Sequence, residues 1–295
     1  MNAYDITFLG HMCFDEITPY QGETKVSPGS AVLCGAMVAA RVDKKIAVVT
    51  KMAQKDEIIL KPMQELGVDT FVIPSAETTF AVVIHPTVNV DERRLMIQKS
   101  SGLFQIEEIP SLKTKHLHLA GISDREFDMD LIRGLKLQGY NLSIDMQSFV
   151  RQVDPVTREI AFKDVPQKEE IVKQMSKVKL DVVEAKVLTG TDDLEKAAVI
   201  FEKWGCPETV ITQAEGVLAR AGGKTYYEKF SNRSVIGRTG RGDTTFAAYL
   251  SWRMEHDVID SLKFAAALVS IKMETPGPFR GTLQDVYDRI KQYYS

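Results

Sequence analysis

Cysteine is scarce in this sequence of 295 residues, and its three cysteines, Cys13, Cys34 and Cys206, form no C-x-x-C pair. Their wide separation excludes a disulfide framework and a cysteine-ligated zinc site, and it favours a reducing, cytoplasmic location. The N-terminus lacks a basic region followed by a long apolar one, so we expect no signal peptide. Since no apolar run approaches the roughly 20 residues of a transmembrane helix, we expect no membrane association.

The sequence also lacks a strong excess of either charge, with 37 Lys and Arg against 40 Asp and Glu and a net charge of −3. This balance gives no reason to expect nucleic acid as a partner. No G-x-x-x-x-G-K-[ST] motif is present, which excludes a P-loop nucleotide site. The hydrophobic content of 44% is typical of a globular protein, and the length suits one large α/β domain or two smaller ones.

The stretch from Gly237 to Leu250 predicts a glycine-rich loop that runs directly into a helix. Gly240 and Gly242 let a ligand approach the backbone, and the free N–H groups of the first helical turn form an anion site. A carboxylate in that place repels a phosphate, so we expect Asp243 to take a proton from a hydroxyl that attacks the phosphate. The alternative, that Asp243 is merely the N-cap of the helix, stays open.

Strands and helices alternate along the chain, which predicts a mostly parallel sheet covered by helices on both faces. Ligands of such sheets bind at the carboxyl ends of the strands, where we expect Asp15, Asp145, Thr212 and the Gly240 loop. Two β-rich runs at 79–85 and 94–99 predict an antiparallel flap. We also expect helices at 56–66 and 125–138, and a hairpin turn at 222–224.

The glycine-rich stretch resembles the signature near the C-terminus of ribokinase-like carbohydrate kinases, the PfkB family, whose usual form is D-T-T-G-A-G-D-x-F. Gly240, Gly242 and Asp243 are retained, whereas Arg241 stands where the family has alanine. The resemblance implies a ribokinase-like three-layer α/β/α sandwich over residues 1–295, with a mostly parallel central sheet. It also implies a small β lid from about 12–27 and 79–100. Such lids often pair between subunits, which makes a homodimer through the lid an expectation.

The resemblance further implies the chemistry of the loop. Asp243 would be the general base, and the backbone amides of Gly240, Arg241 and Gly242 would stabilise the transferring phosphoryl group. The side chain of Arg241 either adds positive charge near that phosphate or points to solvent. ATP and Mg²⁺ are the implied cofactors.

The family also indicates which residues bind the acceptor. An Asp in the place of Asp15 binds sugar hydroxyls there, although a solvated turn residue is the alternative. Gly29 and Ser30 resemble the family's first signature, which has a Gly-Gly pair, and Leu33 stands where the family has a substrate-contacting Asn.

Residues 145–151 form the pattern D-x-Q-x-Φ-x-R, in which Φ is apolar, and this pattern resembles myo-inositol-kinase-like members of the family. Gln147 and Arg151 would then orient the acceptor, and a cyclitol would be the substrate. A phosphorylated acceptor would need a basic cluster in the lid, for which Arg93 and Arg94 are the only candidates.

Asp181 and Glu184 resemble the family's N-x-x-E element, which helps to hold hydrated Mg²⁺ and the phosphates. Mg²⁺ keeps several waters and needs few direct carboxylates, which suits an acidic pair. The alternative is a helix N-terminus enriched in acidic residues.

Four further residues resemble the nucleotide site of the family. Thr212 and Gly216 correspond to a loop around the nucleotide phosphates, and Ala267 and Gly277 lie in the region that walls the adenine pocket. The H-x-H pair of His116 and His118 lies on one face of a predicted strand, where it either binds a metal or makes ordinary hydrogen bonds.

Together these features predict an ATP- and Mg²⁺-dependent kinase for a hydroxyl of a small sugar or polyol. Alternative acceptors are a nucleoside, ribose or a sugar phosphate. A non-catalytic sugar-binding sensor on the same fold is the alternative of a different class, and the altered positions Leu33, Asp181 and Ala214 favour it.

Overall fold

The computed structural model describes residues 3–89 and 92–294. Val90 and Asp91, which belong to the predicted lid, lie outside the described residues. The strands are β1 (Ala3–Leu9), β2 (Cys13–Thr18), β3 (Lys25–Gly29), β4 (Ile46–Met52), β5 (Asp69–Pro74), β6 (Thr79–Ile84), β7 (Arg94–Lys99), β8 (Lys113–Leu119), β9 (Leu142–Asp145), β10 (Arg151–Val153), β11 (Ile160–Phe162), β12 (Lys177–Asp181), β13 (Glu208–Thr212), β14 (Gly216–Ala221) and β15 (Lys224–Lys229). The helices are α1 (Ala31–Arg41), α2 (Lys61–Gln64), α3 (Met129–Leu137), α4 (Gln147–Val150), α5 (Lys168–Lys173), α6 (Val182–Thr189), α7 (Leu194–Lys203), α8 (Arg241–Trp252), α9 (Val258–Met273) and α10 (Leu283–Tyr293).

Nine strands form the central sheet in the order β15-β14-β13-β12-β9-β8-β1-β4-β5. The seven from β13 to β5 are parallel, whereas β14 and β15 form an antiparallel hairpin at one edge. The hairpin turn predicted at 222–224 joins these two edge strands and is confirmed.

Helices cover both faces of this sheet because successive side chains of a strand point to opposite sides. In β4, Val48 belongs to a buried apolar cluster with α1, α8 and α9, whereas its neighbour Val49 belongs to a second cluster with α3 and α7. The predicted three-layer α/β/α sandwich with a mostly parallel sheet is therefore confirmed.

A separate four-stranded sheet, in the order β3-β2-β6-β7, forms the lid. The antiparallel pairing predicted for the two runs of the flap is found between β6 and β7, and β2 joins them by pairing parallel to β6. The predicted lid segments thus form one sheet. The homodimer through this lid stays a prediction.

Two predicted helices differ from the structure. The segment at 56–66 is mostly a 3-10 helix, Gln54–Leu60, followed by the single α-helical turn α2. Pro62 lacks the N–H group that would continue an α-helical ladder from the preceding turn. The helix predicted from 125 begins only at Met129, because Asp128 is its N-cap and accepts a hydrogen bond from Leu131 N at 2.9 Å.

The imidazoles of His116 and His118 lie within 2.8 and 2.9 Å of the Ser143 hydroxyl. Both rings are buried, and no group of metal-ligating side chains was found in the part of the chain that the structure describes. The hydrogen-bonded alternative for this pair is the one that the structure favours. In the described ranges, no helix has the length and apolar character needed to cross a bilayer.

Ser30 carries backbone strain at the start of α1. It is the N-cap of that helix, its hydroxyl accepts a hydrogen bond from Leu33 N at 2.9 Å, and its φ of 138° is one that glycine adopts and other residues rarely do. The segment therefore needs a glycine-like backbone where the related family has its second glycine.

We expect Ser30→Gly to raise the free energy of unfolding by about 1 kcal/mol in urea denaturation. Relief of a strained backbone is worth about 1–3 kcal/mol, and a Gly N-cap costs only a few tenths relative to Ser. The matched control is Asp128→Gly at the N-cap of α3, where φ is −127° and no strain is relieved. A loss of stability in both variants would contradict strain at Ser30.

Candidate active site

Polar side chains gather where three neighbouring parallel strands end. Asp145, Asp181 and Thr212 are the last residues of β9, β12 and β13. The strand register sets Asp181 beside Thr212 and Asp145 beside Lys179. Asp145 and Thr212 thus lie at the carboxyl edge of the central sheet, as predicted, whereas Asp15 lies within β2 of the four-stranded sheet.

The first turn of α8 lies against this edge. Gly240, with φ of 78°, is the N-cap of the helix, and Asp243 is its third residue. The N-cap alternative for Asp243 is therefore wrong. A Cβ at Gly242 would lie 2.9 Å from Lys179 Nζ and 3.6 Å from Thr212 Oγ1, so a side chain here would displace the Lys179 ammonium group.

The N–H of Arg241 donates to the Arg238 carbonyl at 3.0 Å, so the structure does not support its predicted contact with the phosphoryl group. The anion site at the N–H groups of Gly240 and Gly242 stays a prediction.

Gln147 holds the carboxylate of Asp243. Its Nε2 donates to Asp243 Oδ1 at 3.3 Å and to the Gly121 carbonyl at 2.8 Å. Its backbone N–H donates to Asp145 Oδ1 at 3.1 Å. The structure thus gives Gln147 a role in positioning Asp243, while its predicted contact with the acceptor stays a prediction.

A buried ion pair lies beneath the anion site. Lys179 Nζ donates to Asp145 Oδ2 at 2.8 Å, and the two side chains are only 3% and 2% exposed. Burial opposes the charge of Lys179, but the carboxylates of Asp145, Glu184 and Asp243 outweigh it and raise its pKa. Lys179 therefore stays protonated and places a fixed positive charge behind the first turn of α8.

Asp15 approaches the same space from the lid. It lies in β2 rather than in a turn, and its Oδ1 accepts a hydrogen bond from Cys13 Sγ at 3.1 Å. Burial raises the pKa of Asp15, and the Asp243 carboxylate raises it further, because the two carboxylates face each other. A Cβ at Gly29 would lie 1.9 Å from Asp15 Oδ2, so this glycine gives the carboxylate its room.

Asp181 and Glu184 form a capping box at the start of α6. Asp181 Oδ1 accepts from Val183 N and Glu184 N, both at 2.9 Å, and Glu184 Oε2 accepts from Asp181 N at 2.8 Å. Glu184 Oε1 accepts from Arg151 Nη2 at 3.0 Å, so both of its oxygens already have partners. This fits Mg²⁺ only through water or donor phosphates, and the metal role of the pair stays a prediction.

Four arginines and a histidine lie close enough together to interact electrostatically. Burial and repulsion by neighbouring guanidinium groups lower the pKa of Arg93 and of Arg238, the latter to about 10. Burial also lowers the pKa of Arg241, although Asp181 opposes this shift. Arg151 Nε is buried and makes no hydrogen bond within 3–89 and 92–294. We call Arg93, Arg151, Arg238 and Arg241 the arginine cluster, and His85 of the lid faces it.

The predicted nucleotide residues occupy different environments. Thr212 borders Gly242 at the anion site, as described above. Gly216 is buried at the start of β14, where a Cβ would lie 2.4 Å from the Glu228 carbonyl. Ala267 is fully buried in the middle of α9, so its side chain has no surface for a nucleotide, and its predicted adenine contact has no support in the structure. Gly277 lies in an exposed loop with φ of 86°.

A buried polar cluster joins the lid to the central sheet. Glu126 accepts hydrogen bonds from the backbone of His11 at 2.7 Å and of Ile122 and Ser123. The imidazole of His11 lies 2.8 Å from Thr79 Oγ1 at the start of β6 and 2.9 Å from the Gly102 carbonyl beyond β7. One carboxylate therefore fixes the ends of β1 and β8 and, through His11, the base of the lid.

Sequence reasoning missed several residues of this site. The sequence assigned Arg93 only to the binding of a phosphorylated acceptor. It did not show which charged side chains within apolar segments are buried. The only signal that could have found Lys179 and Lys272 is that each lies between apolar residues of a strand or helix, Val178 and Leu180 for the first and Ile271 and Met273 for the second. The missed residues are His11, Cys34, Glu126, Lys179, Arg238 and Lys272.

A family model described as pfkB family carbohydrate kinase matches residues 2–283. The chain belongs to this family. The resemblance inferred from the glycine-rich stretch is confirmed, and membership of this family makes the protein a phosphotransferase.

Three proteins that are similar to this chain bear on its function. A pyrophosphate-dependent kinase in the ribokinase family, complexed with a pyrophosphate analogue and myo-inositol, is 29% identical with a TM-score of 0.87, over 96% of this chain and 99% of that one. A sulfate complex of a pyrophosphate-dependent kinase in the same family is 30% identical with a TM-score of 0.88 and the same coverage. A cytidine kinase of Thermococcus kodakarensis is 26% identical over 84% of this chain and 87% of its own length.

The buried Glu126 predicts a dependence of stability on pH. Burial raises its pKa from 4.5 to about 7, although three backbone amides favour the carboxylate. A carboxyl group with a raised pKa in the folded state stabilises the fold least at high pH, where it must ionise. Between pH 5 and 8 the wild type should lose about 2–3 kcal/mol of unfolding free energy relative to Glu126→Gln.

Denaturation of both proteins across that range measures the difference. His11 remains in both proteins, so its own titration cancels. A difference that stays constant with pH would show that Glu126 is ionised throughout.

Proposed function

We propose that this kinase transfers a phosphoryl group from pyrophosphate to a hydroxyl of a small cyclitol or polyol, with myo-inositol as the first candidate. The arginine cluster is the observation that supports pyrophosphate as the donor. The ATP dependence expected from the sequence is the alternative donor. The relatives of known structure that use pyrophosphate support the same choice.

The arginine cluster suits a compact polyanion. Burial opposes the positive charge of Arg93 and Arg238, and neighbouring guanidinium groups oppose it further, so an anion bound among them would relieve this repulsion. Pyrophosphate presents several negative charges in a small volume, and guanidinium groups bind phosphate oxygens with paired hydrogen bonds. The nucleoside of ATP would need an apolar surface. Ala267, which was predicted to lie at the adenine pocket, is instead fully buried in the core.

The acceptor would lie between the lid and Asp243. Asp15 in β2 and Asp243 in α8 face each other, so a polyol with several hydroxyl groups can bridge the two carboxylates. Each carboxylate accepts a hydrogen bond from a hydroxyl, which relieves the repulsion between them. A small polyol has hydroxyl groups on opposite sides of the molecule and meets both partners at once.

The chemical step follows from this arrangement. Asp243 takes the proton of the acceptor hydroxyl, and the oxygen of that hydroxyl forms a bond to the transferred phosphorus. The bond from that phosphorus to the bridging oxygen of pyrophosphate breaks. Inorganic phosphate leaves. The N–H groups at Gly240 and Gly242 and the charge of Lys179 stabilise the negative charge on the phosphoryl group. Mg²⁺ would neutralise charge on the donor phosphates, held through water near Asp181.

The decisive measurement is product formation for each pairing of donor and acceptor. Pyrophosphate and ATP are the donors, and myo-inositol, ribose, fructose, fructose phosphate, adenosine and cytidine are the acceptors. Turnover of myo-inositol with pyrophosphate supports the proposal. Turnover of a nucleoside with ATP alone would overturn it and favour the class of the archaeal relative.

With the productive pair, we expect Asp243→Asn to lower kcat about 10²–10⁴-fold with little change in acceptor binding, because the variant cannot accept the proton. Calorimetric titration with the acceptor checks that the site stays intact. A variant with near wild-type kcat would remove Asp243 from the role of general base.

We expect Arg93→Ala to raise the KM for pyrophosphate about tenfold or more, since a charged hydrogen-bond partner of a phosphate is worth about 1.5–3 kcal/mol. The matched control is Arg94→Ala. Arg94 is its neighbour in sequence but pairs with Glu159 at the surface, where its side chain is 62% exposed. Equal effects of the two changes on the KM would argue against the arginine cluster as the donor site.

A further inference from the structure

Lys272 lies at the end of α9, directly behind the anion-binding turn. It is only 1% exposed, and its Nζ donates hydrogen bonds to the carbonyl groups of Gly237 and Thr239. No carboxylate lies within ion-pair distance of this ammonium group in the ranges 3–89 and 92–294. A buried positive charge is thus bound by the backbone of the glycine-rich loop alone.

The loop and the end of α9 are held together closely at this point. Gly237 N donates to the Met273 carbonyl at 2.8 Å, and a Cβ at Gly237 would lie 1.9 Å from the Thr275 carbonyl. A Cβ at Gly240 would lie 3.9 Å from Lys272 Nζ. The ammonium group therefore contacts the residues that lead into the first turn of α8.

The carbonyl of Thr239 and the N–H of Gly240 belong to the same peptide unit. In the described part of the chain, this N–H donates no hydrogen bond, so it is available to a ligand. A cation at the carbonyl end polarises the peptide and makes its N–H a stronger donor. A fixed charge behind an anion site also stabilises the charge that develops there, without reorganisation.

We propose that Lys272 is a positioning residue for phosphoryl transfer: its ammonium group orients the peptide between Thr239 and Gly240 and strengthens the N–H that binds the transferring phosphoryl group. The inference rests on phosphoryl transfer at this turn but not on the identity of the donor. Asp243 and the Cys34 thiol also face Lys272, and Arg241 opposes its charge.

Burial of an ammonium group without a carboxylate partner costs several kcal/mol. If Lys272 only filled space in the core, methionine would fill that space equally well. This difference separates the two roles. A packing role predicts that stability and activity change together. The proposed role predicts that activity falls in a folded protein whose acceptor binding is intact.

The test compares Lys272→Met with Lys263→Met, which changes an outward lysine of the same helix. With whichever donor supports the wild type, we expect Lys272→Met to lower kcat about 10- to 100-fold, with the acceptor KM within about twofold. Its Tm should be no lower than that of the control, because methionine removes the cost of burying the charge. If ATP replaces pyrophosphate as the donor, the proposed donor fails but this comparison is unaffected.

Lys272→Ala supplies a second readout. Methylammonium or ethylammonium should fill the space left by the side chain and restore part of kcat, with no effect on the wild type. A kcat of Lys272→Met within twofold of the wild type would overturn the inference. The inference would also be overturned if Lys272→Met and Lys272→Ala both lose activity together with a fall in Tm and neither amine restores the activity of Lys272→Ala.

Discussion

The close approach of α8 to the carboxyl ends of β9, β12 and β13 is the constraint on which the candidate active site depends. Lys179 fills the space beneath the helix and pairs with Asp145, and a side chain at 242 would displace its ammonium group. Since the ion pair is buried, its geometry is fixed by packing rather than by solvent. The N–H groups of the first turn are thereby held where a phosphoryl group can meet them.

Charge at this site is arranged in layers around that turn. Lys179 and Lys272 lie behind it, the carboxylates of Asp15 and Asp243 face each other, and the arginine cluster surrounds Arg241. Each of these groups of like charges would be costly to bury by itself, because a charge that leaves water without a partner loses its solvation. In the function that we propose, an anion between the arginines and a polyol between the carboxylates would balance these charges.

The lid contributes to both sides of the site. Its strand β2 carries Asp15, and His85 and Arg93 lie beside the turn between β6 and β7. Its attachment depends on Glu126 and His11, which connect the base of the lid strands to the ends of β1 and β8. Ionisation of one buried carboxylate is thus coupled to the place where the lid joins the sheet.

The sequence by itself determined the alternating architecture, the two segments of the lid sheet and the glycine-rich turn that leads into α8. These features depend on local patterns: apolar strand runs, turn residues, and two glycines followed by an Asp. It also identified the family, which the family model confirms. Short motifs carry this information because helix starts and glycine-rich turns are formed by residues that are neighbours in the chain.

Only the tertiary structure decided which charges meet. Lys272 is separated by 33 residues from Thr239, and Lys179 by 34 from Asp145, and no periodicity relates such pairs. Gln147 and Glu184 matched a motif, yet their partners, Asp243 and Arg151, come from other elements. The pairing of buried charges depends on distances across the packed interior, which a linear pattern of residues does not contain.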